Sequence, residues 1–137
     1  MRDHLPETDV RELTAIFFGG TLGALGRVGL AQALPHAAAA WPWPTFAVNL
    51  LGAFVLGWAV THLRPASYGR PFLGIGVCGA LTTFATLQLE LLRMLDAGEL
   101  LRALLYVAAS LAGGLACVKL GIVLGARGRR GERSRPA

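Results

Sequence analysis

Residues 71–92 read PFLGIGVCGALTTFATLQLELL, and this stretch decides how the chain folds. Its length matches the roughly 20 mostly apolar residues that a helix needs to cross a bilayer. Three glycines weaken a helix in its first half, and two adjacent β-branched residues, Thr82 and Thr83, follow them. The stretch is therefore either a kinked helix or a helix with a true break. Carbonyls released by a break at membrane depth must be buried in protein or coordinate a ligand, and hard oxygens suit a small cation.

Three further apolar stretches are long enough to span a bilayer. Hydrophobic residues make up 54% of the 137-residue chain and charged residues only 15%, against about 25% charged in a typical soluble domain. The sequence therefore predicts an all-α membrane protein with four transmembrane helices, about residues 13–34, 45–63, 71–92 and 101–126. The predicted organisation is a polar N-terminal segment (1–12), a four-helix transmembrane domain (13–126) and a basic disordered tail (127–137).

The net charge of +5 does not indicate nucleic-acid binding, because the basic residues flank apolar runs or sit together in the tail. An even number of spans places both termini on one side of the membrane. That side carries most of the arginines, so the positive-inside rule predicts that both termini lie in the cytoplasm. The predicted location is the inner membrane.

Polar side chains within the spans are candidates for function, because they are costly in lipid. Each has a structural alternative. Asn49 would join two helices, Glu90 would reach water from a helix end, and Arg27 would extend to the interface. Tyr106 and Ser110 lie four residues apart on one helical face.

The first, second and fourth predicted spans contain no Asp or Glu. A proton-coupled exporter of cations would need such a carboxylate, so that function is disfavoured but stays an alternative. The sequence also has no phosphate-binding loop, no Ser-His-Asp arrangement and no cluster with metal-ligand spacing, so an enzyme is not predicted. Hydrogen-bond donors without acids favour passive handling of an anion.

Four motifs in order resemble the Fluc (CrcB) fluoride channel family over about residues 18–125. They are GGTLGALGR at 19–27, PTFAVNLLGAFVLG at 44–57, CGALTTFAT at 78–86 followed by Glu90, and Tyr106 with Ser110.

The resemblance implies a fluoride-selective channel that exports the anion passively across the bacterial inner membrane and lowers its cytoplasmic concentration. It also implies an antiparallel, dual-topology dimer with the third helix broken mid-membrane. A structural sodium ion at the dimer centre would be held by the main-chain carbonyls of Gly79 and Thr82. The implied fluoride pathway contains Asn49, Phe84, Thr86, Tyr106, Ser110, Arg27 and Glu90.

Two residues depart from the family run T-T-F-S-T-F, since Ala85 replaces the serine and Leu87 the second phenylalanine. Leucine lacks the positive ring edge of an aromatic side chain. Leu87 and the arginine tail leave two alternatives open. Besides a homodimeric channel, the chain could be a subunit that depends on a related partner, in a heterodimer of fixed orientation, or a non-conducting membrane subunit.

Overall fold

The computed structural model describes residues 9–35, 37 and 40–133, and the chain is helical through most of them. The elements are α1 (Val10–Ala33), α2 (Trp43–His62), a π-helical segment (Pro71–Cys78), α3 (Gly79–Leu81), α4 (Phe84–Asp96) and α5 (Leu100–Arg133). Four helical stretches are long and apolar enough to cross a membrane, and Pro71–Asp96 is the third of them. The prediction of four spans in an all-helical chain is thus confirmed.

The helix ends follow from local sequence. Asp9 caps α1, because its carboxylate accepts a hydrogen bond of 2.9 Å from the Arg11 amide. That amide, and after it the Tyr68 side chain, hold the pKa of Asp9 below its ordinary value. The cap therefore stabilises the helix fully at a pH above the ordinary pKa of an aspartate. This stabilisation is lost as the pH falls through the lowered pKa of Asp9. Gly98, with φ of +76°, makes the tight turn between α4 and α5.

The last helix differs from its prediction. It continues to Arg133, whereas the sequence analysis ended the span near Ala126 and assigned the rest to a disordered tail. Arginine is a good helix former, and the sequence has no proline between Pro71 and Pro136. The remaining tail residues, 134–137, lie outside the described residues, as do residues 1–8 of the predicted polar segment.

Glycines allow two close helix contacts. A Cβ at Gly19 of α1 would overlap the carbonyl oxygen of Phe72, and one at Gly76 would lie 2.8 Å from the carbonyl oxygen of Ile16. On the other side of the molecule, a Cβ at Gly57 of α2 would overlap the carbonyl oxygen of Val118 in α5. Small residues let helix backbones approach closely in a membrane, where apolar side chains gain little from leaving lipid.

The third span is interrupted between α3 and α4. Thr82 (φ −75°, ψ 151°) and Thr83 (φ −148°, ψ 117°) have extended backbones. The α4 helix then restarts with a cap, because the Thr83 hydroxyl accepts a hydrogen bond of 3.2 Å from the Thr86 amide.

We expect Gly19→Ala to lower the free energy of unfolding by about 1–3 kcal/mol, because the new methyl group meets rigid backbone. Gly20→Ala is the matched control, since its Cβ would have nothing within 4 Å. Thermal unfolding in detergent micelles, followed by circular dichroism, measures both. A Gly19→Ala protein as stable as Gly20→Ala would contradict the contact.

Candidate functional site

Asn49 bridges the interruption of the third span. Its Oδ1 accepts a hydrogen bond of 2.8 Å from the Thr83 amide, and its Nδ2 donates one of 3.3 Å to the Thr83 carbonyl. The amide side chain thereby supplies what a neighbouring turn of helix would otherwise give. Asn49 thus holds the interruption in place, in agreement with the structural alternative for this residue.

The interruption redirects two amides. In an unbroken helix the Thr83 amide would donate to the carbonyl of Gly79, and the Thr86 amide to that of Thr82. Here the first donates to Asn49 and the second to the Thr83 hydroxyl. The carbonyls of Gly79 and Thr82 therefore lose their helical donors, and both residues line one open groove. Two hard oxygens of this kind fit a small cation such as sodium.

The groove lies between α2 and the third span and encloses about 410 Å³. Asn49 and Phe84 line it together with the residues of the interruption. Phe84 is 71% exposed.

Arg27 and Thr86 share a smaller cavity of about 100 Å³ on the other side of the interruption. Arg27 also holds the end of α3, because its Nε donates a hydrogen bond of 3.1 Å to the Ala80 carbonyl. The hydroxyls of Thr86 and Thr83 lie 3.0 Å apart. The predicted pathway residues Arg27, Asn49, Phe84 and Thr86 therefore all surround the interruption.

A second polar cluster lies further along α4. The carboxylate of Glu90, only 4% exposed, accepts hydrogen bonds from the Thr45 hydroxyl (2.6 Å) and the Tyr106 hydroxyl (2.8 Å). Tyr106 is fully buried and packs with Met94 and Ala103. Glu90 is therefore a buried acceptor, and the alternative of an interfacial carboxylate in water is wrong.

Thr45 belongs to this cluster, and sequence reasoning did not single it out as a site residue. The available signal was its spacing, since Thr45 precedes Asn49 by four residues and so lies on the same face of α2. Leu87 also packs against this cluster. A larger side chain at position 87 would therefore have to displace neighbouring groups.

Three buried side-chain atoms have no hydrogen-bond partner within the part of the chain that the structure describes: Ser110 Oγ, Trp41 Nε1 and His62 Nδ1. Ser110 follows Tyr106 by one helical turn on α5. Trp41 packs edge to face against the Tyr106 ring, with centroids 5.3 Å apart. His62 lies at the other end of α2. Buried polar groups are usually paired, so each of these atoms calls for an explanation.

The four apolar helices and the polar groups enclosed between them define a multi-pass membrane protein with two sets of buried hydrogen-bonding groups. Residues 14–122 match the family described as CrcB-like protein, Camphor Resistance (CrcB), and the chain belongs to that family.

Curated relatives cover nearly the whole chain. A Mycobacterium bovis protein named Fluoride-specific ion channel FluC 1 is 48% identical over 125 residues, which are 88% of this chain and 94% of the relative. Proteins named Fluoride-specific ion channel FluC from Chlorobaculum tepidum and Thermus thermophilus are 44% and 42% identical. They cover 77% and 85% of this chain, and 87% and 94% of their own lengths. The resemblance found in the sequence is confirmed.

We expect Tyr106→Phe to lower the free energy of unfolding by about 1–2 kcal/mol, because it removes a buried hydrogen bond to Glu90 and keeps the ring. Tyr68→Phe is the matched control, since Tyr68 is 44% exposed and its hydrogen bond to Asp9 is open to water, so its loss costs less than that of a buried one. Chemical denaturation in micelles compares the two. Equal free energies of unfolding for the two variants would mean that the hydrogen bond from Tyr106 to Glu90 does not stabilise the fold.

Proposed function

We propose that this chain forms a fluoride-selective ion channel that exports fluoride passively across the bacterial inner membrane. The names of its relatives support this function. The observation that carries it is the Ser110 hydroxyl, which is buried with no partner among the described residues, one turn from Tyr106. Such a donor is available to an ion that has left its water.

The chemistry of the candidate residues suits a small, strongly hydrated anion, which needs replacement donors along its way. The hydroxyls of Ser110 and Thr86 are such donors, and Asn49 holds the groove open. Phe84 offers the positive edge of its ring while staying apolar. Arg27, beside the smaller cavity, attracts an anion to the entrance. Several weak sites in series allow the ion to leave as well as enter.

The membrane potential supplies the driving force. An inside-negative potential favours outward movement of an anion by about 2.3 kcal/mol per charge per 100 mV. No proton-exchanging carboxylate is needed, and Glu90 already accepts two hydroxyl hydrogen bonds. Its role in this proposal is to fix the Tyr106 ring beside the pathway.

An antiparallel dimer completes the site in this proposal. The exposed Phe84 and the open groove lined by Gly79 and Thr82 form the surface that a second copy would cover. Two carbonyl oxygens cannot surround a small cation, which proteins hold with several oxygen ligands. One chain offers two released carbonyls, so the second copy would supply two more to a sodium ion at the dimer centre. The interruption would then lie at mid-membrane depth.

One observation favours a second candidate, a subunit that conducts only with a related partner. Leu87 packs into the Tyr106 cluster and carries no ring edge for an anion. The arginines of α5 also favour one orientation over its inverse, with both termini in the cytoplasm. A partner chain of opposite orientation would then supply the missing aromatic group.

Fluoride efflux from liposomes containing only this purified chain separates the two candidates. A fluoride electrode records the efflux, and the same vesicles loaded with chloride are the control. Fast efflux of fluoride alone supports a working homodimer. Folded protein without fluoride efflux would contradict the homodimer and leave the partner-dependent subunit, which co-reconstitution with a related chain then tests.

We expect Ser110→Ala to reduce fluoride efflux about tenfold, the loss of one hydrogen bond to a charged group. Its stability should not fall, because the hydroxyl has no partner among the described residues. Ser67→Ala is the control, since Ser67 lies in the loop before the third span and its hydroxyl donates to the Arg64 carbonyl there. Unchanged efflux in Ser110→Ala would remove Ser110 from the pathway.

A further inference from the structure

Most hydrogen-bond donors near the second polar cluster are already engaged. The hydroxyls of Thr45 and Tyr106 donate to Glu90, and the Asn49 amide donates to the Thr83 carbonyl. Within the described part of the chain, the buried donors left beside this cluster are Ser110 Oγ and Trp41 Nε1. An anion passing here is offered these two groups without breaking a hydrogen bond of the fold.

Trp41 lies just before α2 and forms one wall of the cluster. Its ring meets the Tyr106 ring at 77° and the Phe46 ring at 76°, with centroid distances of 5.3 and 5.5 Å. The indole packs against both rings, and its Nε1 is buried. The indole N–H donates and cannot accept a hydrogen bond. A buried donor of this kind needs an acceptor, and an anion is one.

The backbone around Trp41 adds little donor capacity of its own. Pro42 and Pro44 lack an amide hydrogen, and the amide of Trp43 between them donates to the Trp41 carbonyl at 3.0 Å. The indole is therefore the side-chain donor that this segment presents to the cluster.

We propose that the Trp41 indole N–H is a fluoride ligand, and that the fluoride pathway continues past Tyr106 to this tryptophan at the start of α2. The inference rests on the proposed channel function and adds one site to it. An ion would be passed from the Ser110 hydroxyl along the Tyr106 ring to the indole. Trp41 packs against that ring, and Ser110 follows Tyr106 by one helical turn.

Indole NMR tests the ligand role directly. The chain has three tryptophans, so ¹⁵N-labelled protein in micelles gives three indole N–H signals. Trp43→Phe and Trp58→Phe assign two of them, which leaves Trp41 assigned even if its own variant fails to fold. We expect the Trp41 signal to move progressively with added sodium fluoride and to stay in place with sodium chloride. A Trp41 signal unmoved by fluoride would overturn the proposal.

Efflux measurements test the consequence. Trp41→Phe keeps a ring against Tyr106 and removes the N–H, so fluoride efflux from liposomes should fall about tenfold. Trp43→Phe is the matched control, because Trp43 is 62% exposed and should conduct like the unchanged chain. If both variants conduct equally, the Trp41 site is wrong while the channel function stands. If the unchanged chain itself passes no fluoride, the failure belongs to the proposed homodimeric channel.

Discussion

The hydrogen bond from the Thr83 amide to Asn49 Oδ1 is the interaction on which the rest of the site depends. Backbone polar groups inside a membrane have no water to bond to, so a helix can be interrupted only where other groups replace its missing hydrogen bonds. Asn49 does this at Thr83, the Thr83 hydroxyl does it for the Thr86 amide, and Arg27 bonds the Ala80 carbonyl. With these three contacts in place, the carbonyls of Gly79 and Thr82 can remain without their helical hydrogen-bond donors.

The polar groups within the spans fall into two kinds. Some are engaged with one another and hold the fold, as Glu90 does with Thr45 and Tyr106. Others are buried without a protein partner, as Ser110 and Trp41 are among the described residues. A residue type alone does not separate these kinds, because an amide or a hydroxyl serves equally well in either. The separation depends on which neighbour each group meets.

This explains how far the sequence could predict the structure. Four apolar stretches predicted the spans, because a span depends on local composition. The Thr82–Thr83 pair lies where the backbone is extended, and the roles given to the motif residues in a fluoride pathway stay predictions. Three features escaped prediction. Thr45 bonds to Glu90 and Trp41 packs against Tyr106 through contacts distant in sequence, and the buried Glu90 carboxylate accepts hydroxyl hydrogen bonds from two other helices. The length of α5 was underestimated because the basic residues at its end were interpreted as a tail, although arginine continues a helix well.

That long helix has a consequence for how the chain enters the membrane. At 1.5 Å per residue, the 34 residues of α5 reach about 51 Å, well beyond the ~30 Å of a hydrocarbon core. The excess carries Arg127 and Arg129, and Arg129 bonds back to the carbonyl of Thr61 at the end of α2. A copy inserted the other way round would have to move these charges outward against an inside-negative potential, at about 2.3 kcal/mol per charge per 100 mV. In the proposed antiparallel dimer the two copies would therefore differ in the electrical work of their insertion, and the inverted copy would be the costlier one.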